Sequence, residues 1–131
     1  MKDKTVVTFG TFDIFHVGHL RLLEKARALG TRLIVGVSTD KLNFDKKGRN
    51  PVYSEHERKE IILSLKCVDL VFDEESLEQK GEYLQKYNAD ILVMGDDWEG
   101  KFDVYREFCK VVYFQRTPAI STTEVIEKIR T

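Results

Sequence analysis

The chain has 131 residues, 42% hydrophobic and 33% charged, a size and mixture suited to one domain spanning residues 1–131 with its own buried core. Its 21 basic and 22 acidic side chains leave a net charge of −1, which offers no general attraction to nucleic acid or to an anionic membrane surface. Apolar runs are too short to span a bilayer, and two distant cysteines, Cys67 and Cys109, argue against a disulfide scaffold or a structural zinc site.

The stretch from Met1 to Thr5 leads straight into a strand-like segment without a signal-peptide core, so the expectation is a cytoplasmic protein. Val6-Val7-Thr8-Phe9 reads as the first strand. From His19 to Leu29 the residues Leu22, Leu23, Ala26 and Leu29 share a helical face, and Gly30 is expected to cap the helix at its C-terminus. Leu33-Ile34-Val35-Gly36-Val37 is a continuous apolar strand, the kind a parallel sheet buries on both faces. A polar, lysine-rich loop is expected from Thr39 to about Val52. Ser54, with Glu57 three residues on, has capping-box spacing and opens a helix. Val68 to Phe72 reads as the third strand, Leu77 to Tyr87 as a helix, Ile91 to Met94 as the fourth strand and Val111 to Phe114 as the fifth. Ser121-Thr122-Thr123-Glu124 opens a last helix, again with capping-box spacing. This alternation predicts a doubly wound, Rossmann-like α/β fold, a parallel five-stranded sheet flanked by helices. Ligands of such sheets sit beyond the carboxyl ends of the strands, at a topological switch point. Polar clusters follow strands one, two, four and five, so one cleft can gather them.

The first cluster is Gly10-Thr11-Phe12-Asp13-Ile14-Phe15-His16-Val17-Gly18-His19. Two histidines three apart at a helix mouth, with Gly18 between them, suit an oxyanion. The helix N-terminus offers free N–H groups, and the imidazoles add donors to charge developing on phosphate oxygens. Taken alone, a His-x-x-His pair is also compatible with surface histidines or a partial metal site. The Lys46-Lys47-Gly48-Arg49 cluster reads equally as a solvated loop or as an electrostatic clamp on phosphate. Arg58 either reaches phosphate or pairs with Glu55 or Asp45. Arg116 to Thr123 joins a cation, three hydroxyls and a helix start, which is either a second anion site or a helix capped by Ser121. Trp98 reads as packing more readily than as a stacking platform.

Gly10 to His19 resembles the signature of the cytidylyltransferases, nucleotidyltransferases with a His-x-Gly-His motif. Met94-Gly95-Asp96-Asp97-Trp98-Glu99-Gly100-Lys101-Phe102-Asp103 resembles the members of that family that act on glycerol 3-phosphate in teichoic-acid and capsule pathways. Arg116-Thr117-Pro118-Ala119-Ile120-Ser121-Thr122-Thr123 is similar to their Arg-Thr-x-Gly-Ile-Ser-Thr-Thr box. The likeness covers nearly the whole chain, in the same order.

The resemblance implies direct attack by glycerol 3-phosphate on the α-phosphorus of CTP, with CDP-glycerol and pyrophosphate as products. It implies a homodimer and a divalent cation, Mg²⁺, bridging phosphate oxygens. His16, His19, Lys46 and Arg116 are then catalytic. CTP is bound by Gly10, Thr11, Phe12, His16, Gly18 and His19, by Asp97, and by Arg116, Thr117, Ile120, Ser121, Thr122 and Thr123. Lys46 and Lys80 match lysines that hold the phospho-substrate, with Lys47 or Arg49 on the CTP phosphates. Bottom-up, Lys80 is an ordinary exposed residue. Asp13 stands as a metal or substrate contact, or as the residue that orders the turn from Thr11 to His16. Lys66 occupies the place of a family arginine, keeping the charge but losing bidentate phosphate recognition. Pro118-Ala119 replaces a residue followed by glycine, which is unfavourable wherever that glycine has a positive φ. Two other readings are the same chemistry on a different phospho-alcohol or phospho-sugar, and a non-catalytic nucleotide-binding module.

Overall fold

A computed structural model describes residues 3–116 and 121–131. Five parallel strands, β1 (Thr5–Gly10), β2 (Arg32–Ser38), β3 (Leu70–Glu74), β4 (Ile91–Gly95) and β5 (Lys110–Phe114), form one sheet in the order β3-β2-β1-β4-β5. The helices are α1 (Val17–Ala28), α2 (Asp40–Lys47), α3 (Glu55–Leu63), α4 (Lys80–Lys86) and α5 (Thr122–Arg130). Register is continuous from Thr5↔Arg32 to Gly10↔Val37 between β1 and β2, and Val6↔Ile91 begins the β1–β4 ladder. The chain reverses its direction of winding between β1 and β4, so the switch point lies at the carboxyl ends of these two strands.

The sheet is buried on both faces, which is why its strands read as unbroken apolar runs. On one face Val6, Leu33, Val35, Val37, Ile91 and Val93 pack with Leu23 and Ala26 of α1 and Ile62 of α3. On the other, Val7, Phe9, Ile34, Leu92, Met94 and Val111 pack with Phe72 and Leu84, flanked by Tyr83, Tyr87 and Phe102. Successive residues of one strand enter opposite cores, as the period of two requires.

Three expectations are corrected. The segment expected as a loop from Thr39 to Val52 contains α2. Thr39 caps it, its hydroxyl accepting from Leu42 N at 3.1 Å, and Gly48 ends it at φ 72°, where a side chain would be strained. Gly30 follows α1 but is not left-handed. A Cβ there would stand 2.6 Å from the Lys4 carbonyl oxygen, so the glycine serves close packing against the first strand. The third strand lies two residues later than expected, which places Glu74 at its carboxyl end instead of in a loop. The capping boxes differ as well: Ser54 and Glu57 close theirs reciprocally, whereas at α5 the Ser121 hydroxyl accepts from Glu124 N at 3.1 Å.

Candidate active site

A cleft of about 660 Å³ opens at the switch point. The loop after β1 supplies Gly10, Thr11, Phe12, Asp13, His16, Gly18 and His19. Met94, Gly95, Asp97 and Trp98 come from the end of β4, Arg116 from the end of β5, and Ser121, Thr122 and Thr123 from the start of α5. Lys47 and Arg49 close the side beyond β2.

The loop after β1 departs from ordinary backbone geometry. Phe12 and Ile14 have φ of 54° and 46°, a conformation that disfavours bulky and β-branched residues by ~1–3 kcal/mol each. Tertiary hydrogen bonds hold it. The Arg58 guanidinium, fully buried, donates to Thr11 O at 2.9 Å, to Ser38 O at 2.8 Å, to Tyr53 O at 3.0 Å and to the Asp40 carboxylate at 2.7 Å. Asp13 accepts from Val52 N at 2.7 Å and Tyr53 N at 2.9 Å, and the Thr122 hydroxyl donates to Asp13 O at 2.8 Å. Arg58 therefore binds neither of the partners expected from the sequence. It ties the ends of β1 and β2 to the start of α2 and the turn before α3. Asp13 orders the loop, and both its carboxylate oxygens are engaged by backbone N–H groups.

The histidines cap α1, His16 from the position before it and His19 from its first turn. His16 Nδ1 accepts from Gly18 N at 3.1 Å, and His19 Nδ1 accepts from His16 N at 3.3 Å, a capping box built from two imidazoles. Their rings stack 3.7 Å apart at 19°. A backbone N–H can only donate, so both Nδ1 atoms are unprotonated and each neutral ring carries its proton on Nε2. Desolvation depresses the His16 pKa, with Arg116 adding to it. Desolvation also lowers His19 to about 4, aided by His16 and opposed by Asp13. Phe12 packs edge-on against His19 with ring centres 5.4 Å apart. Gly10 is required beneath it, because a Cβ there would meet the Phe12 ring at 2.7 Å. The pair thus presents fixed, uncharged N–H donors at a helix N-terminus.

Positive charge comes from elsewhere. Arg116, half exposed, lines the cleft and pairs with the Asp97 carboxylate at 3.5 Å. Asn43, buried and missed from the sequence, donates to the Ser38 hydroxyl at 2.8 Å and Thr39 O at 2.9 Å while accepting from Thr11 Oγ1 at 3.0 Å. Its position one turn after the Thr39 cap was the available signal. Trp98, expected to be packing, is 40% exposed and lines the cleft beside Phe102.

Three of the sequence-derived residues do not line this cleft. Lys80 is buried, not exposed, and pairs with Glu74. Lys46 stands in the last turn of α2, exposed overall. Partial desolvation of its ammonium lowers its pKa, with Lys47 and Lys80 adding to that and Glu74 opposing it. Lys66 precedes β3 at the amino ends of the strands. The neighbouring Asp69 N bonds Leu33 O near the start of β2, roughly 16 Å from the cleft end at ~3.3 Å per residue. Thr117, Ile120 and the Pro118-Ala119 pair lie outside the described residues. Among the described residues no group of three or more His, Cys, Asp or Glu side chains is placed to hold a metal ion, and no helix is long and apolar enough to cross a membrane.

Residues 7–128 match the family model described as cytidylyltransferase-like. The chain is 48% identical to a glycerol-3-phosphate cytidylyltransferase of Bacillus spizizenii, over 93% of this chain and 94% of that one. It is 47% identical to the enzyme of the same name from Bacillus subtilis, over 96% and 97% of the two chains. Among solved structures, a lipopolysaccharide core biosynthesis protein from Thermoplasma volcanium superposes with a TM-score of 0.74 at 24% identity, covering 88% of this chain and 98% of that one. This last likeness speaks for the fold alone.

Proposed function

The chain belongs to the cytidylyltransferase-like family, and from that membership we propose that it transfers the cytidylyl group of CTP to glycerol 3-phosphate, releasing pyrophosphate and CDP-glycerol. The near-full-length correspondence to glycerol-3-phosphate cytidylyltransferases carries the choice of substrates. The imidazole capping box at the switch-point cleft carries the mechanism.

Phosphoryl-type transfer asks little covalent chemistry of the protein, so catalysis rests on positioning and on stabilising charge. His16 and His19 donate from Nε2 to oxygens of the reacting phosphates. Because they are neutral, they act through fixed hydrogen bonds, and the net charge is met by Arg116, Lys47 and Arg49. The start of α5 and its hydroxyls hold the nucleotide from the other side. A phosphate oxygen of glycerol 3-phosphate attacks the α-phosphorus as the bond to the pyrophosphate oxygen breaks, so no proton need leave the nucleophile. A divalent ion such as Mg²⁺ would arrive with the triphosphate and would supply charge neutralisation on its oxygens. The described residues supply no protein cage for it, and such ions are commonly held through substrate phosphates. Lys66 takes no part in the cleft of its own chain. CDP-glycerol is an activated monomer for a teichoic-acid or capsule polymer, made in the cytoplasm by a homodimer.

Pyrophosphate release from CTP, measured with a panel of phospho-alcohols, tests the reading. Release should require the acceptor, be fastest with glycerol 3-phosphate, and fall sharply when UTP replaces CTP. Faster release with another phospho-alcohol would leave the chemistry standing and replace the acceptor.

A further inference from the structure

On the β2 side of the cleft three side chains close a ring of hydrogen bonds that the mechanism above does not use. Thr11 follows β1, Ser38 ends β2 and Asn43 lies one turn into α2, and both Thr11 and Asn43 line the cleft. Ser38 and Asn43 are each 1% exposed. The Asn43 amide nitrogen stands 2.9 Å from Thr39 O and 2.8 Å from Ser38 Oγ. Its amide oxygen is 3.0 Å from Thr11 Oγ1, and the two hydroxyls are 3.0 Å apart.

These contacts fix where each proton points. Thr39 O can only accept, so the amide nitrogen of Asn43, not its oxygen, must face it. The two amide hydrogens then go to Thr39 O and Ser38 Oγ. Asn43 Oδ1 can only accept, and among the described residues its donor is the Thr11 hydroxyl. With the Thr11 proton committed there, the Ser38 hydroxyl donates to Thr11 Oγ1 at 3.0 Å in preference to Gly10 O at 3.5 Å. Thr11 Oγ1 is left with one lone pair and no hydrogen. An ionised phosphate oxygen is itself an acceptor, so this hydroxyl offers it nothing. Turning the Thr11 proton towards a phosphate would strand the buried Asn43 oxygen. The open lone pair suits a ligand group that donates. Thr11 Oγ1 is tied to β2 and α2, on the side of Lys47 and Arg49, and the strand order sets it opposite Asp97, Arg116 and the start of α5.

We propose that Thr11 Oγ1 accepts a hydrogen bond from a carbon-bound hydroxyl of the phospho-alcohol, and that Asn43 is the positioning residue that keeps Thr11 an acceptor. The proposal rests on the transferase reading above and deepens it, by naming what tells one phospho-alcohol from another. Thr11, which the sequence resemblance assigns to CTP, turns its hydroxyl to the other substrate. A site built to pair with a substrate hydroxyl rejects analogues that lack it, because its own polar group is then left unpaired.

Rates of pyrophosphate release with glycerol 3-phosphate and its two deoxy analogues, propane-1,3-diol monophosphate and propane-1,2-diol 1-phosphate, test this. The wild type should prefer glycerol 3-phosphate over one of the two by roughly tenfold or more in kcat/KM. Thr11→Val should bring that preference close to unity, and Thr11→Ser should keep it. Asn43→Leu should lower it as Thr11→Val does, and the double variant no further. A merely structural role would lower the rates with all three acceptors in proportion and keep the preference. Should Asn43→Leu fail to fold by circular dichroism, the more adaptable Asn43→Met must still lower the preference. Equal use of the three acceptors by the wild type, or a preference that survives in Thr11→Val or in the Asn43 variant, would overturn the proposal. So would a Thr11→Val enzyme that instead loses discrimination between CTP and 2′-deoxy-CTP, since the donor would then be the ribose. Absence of turnover with every phospho-alcohol would overturn the transferase reading and the proposal with it, whereas turnover indifferent to the hydroxyl overturns the proposal alone.

Discussion

The histidine pair in the cleft and the lysine cluster outside its lining are built in opposite ways. His16 and His19 are set by hydrogen bonds within four consecutive residues, Nδ1 to backbone N–H in both directions. Lys46, Glu74 and Lys80 come from α2, β3 and α4 and meet only once the sheet has formed. The first arrangement is local and yields uncharged donors with a fixed tautomer. The second is tertiary and yields charge, with Glu74 and Lys80 buried and Lys46 exposed.

The largest expected effect breaks the local half. His16→Ala or His19→Ala should lower turnover by ~10²–10³-fold, the usual consequence of losing one preorganised donor. Each variant also removes a helix cap, at ~1 kcal/mol, so the melting temperature should fall by a few degrees while the far-ultraviolet circular dichroism persists. Turnover near that of the wild type in either variant would remove the pair from the reaction.

Breaking the tertiary half should act on one substrate. Lys46→Ala should raise the KM for glycerol 3-phosphate by ten- to a hundredfold, corresponding to ~1.5–3 kcal/mol for a charge-assisted hydrogen bond. The KM for CTP should move much less. Arg116→Ala sharpens the contrast from the other side. It should weaken CTP binding about tenfold by calorimetry, more than it weakens glycerol 3-phosphate binding. An unchanged CTP dissociation constant would contradict the placement of Arg116 on the nucleotide.

The last effect touches neither substrate and concerns acid stability. His19 has a folded-state pKa of about 4, below its ordinary 6.5, so the unfolded chain takes up its proton first. Its contribution to stability is complete above pH 6.5 and is lost as pH falls toward 4. Denaturant unfolding should show this decline, and His19→Gln should be flatter over the same interval. Equal slopes would mean that the imidazole is charged or solvent-like in the folded protein.

The local half was legible in the sequence and the tertiary half was not, for physical reasons. The sheet declared itself because strands buried on both faces, such as Leu33 to Val37, leave no polar positions. The His-x-Gly-His segment was readable because its geometry is closed within itself. Helix α2 escaped because it buries only Leu42 and Asn43, too few to raise a periodic signal, although Thr39 and Gly48 marked both its ends. Lys80 looked exposed because nothing nearby in sequence buries it. Its partner Glu74 belongs to a strand whose end was read two residues early, and Phe9 and Phe102 arrive from distant segments. Lys66 shows the reverse: it matches a motif position, yet its segment lies at the amino ends of the strands. A matching position in a motif does not bring a side chain to the carboxyl end of the sheet.

The claim that the whole account rests on is transfer from CTP to glycerol 3-phosphate. Phosphorus-31 NMR of the protein incubated with CTP, Mg²⁺ and glycerol 3-phosphate observes it directly. The signals of CTP and of the phosphomonoester should decline together, while those of pyrophosphate and an asymmetric diphosphate diester grow in equal amounts. Persistence of both substrates, or release of pyrophosphate without loss of glycerol 3-phosphate, would contradict it.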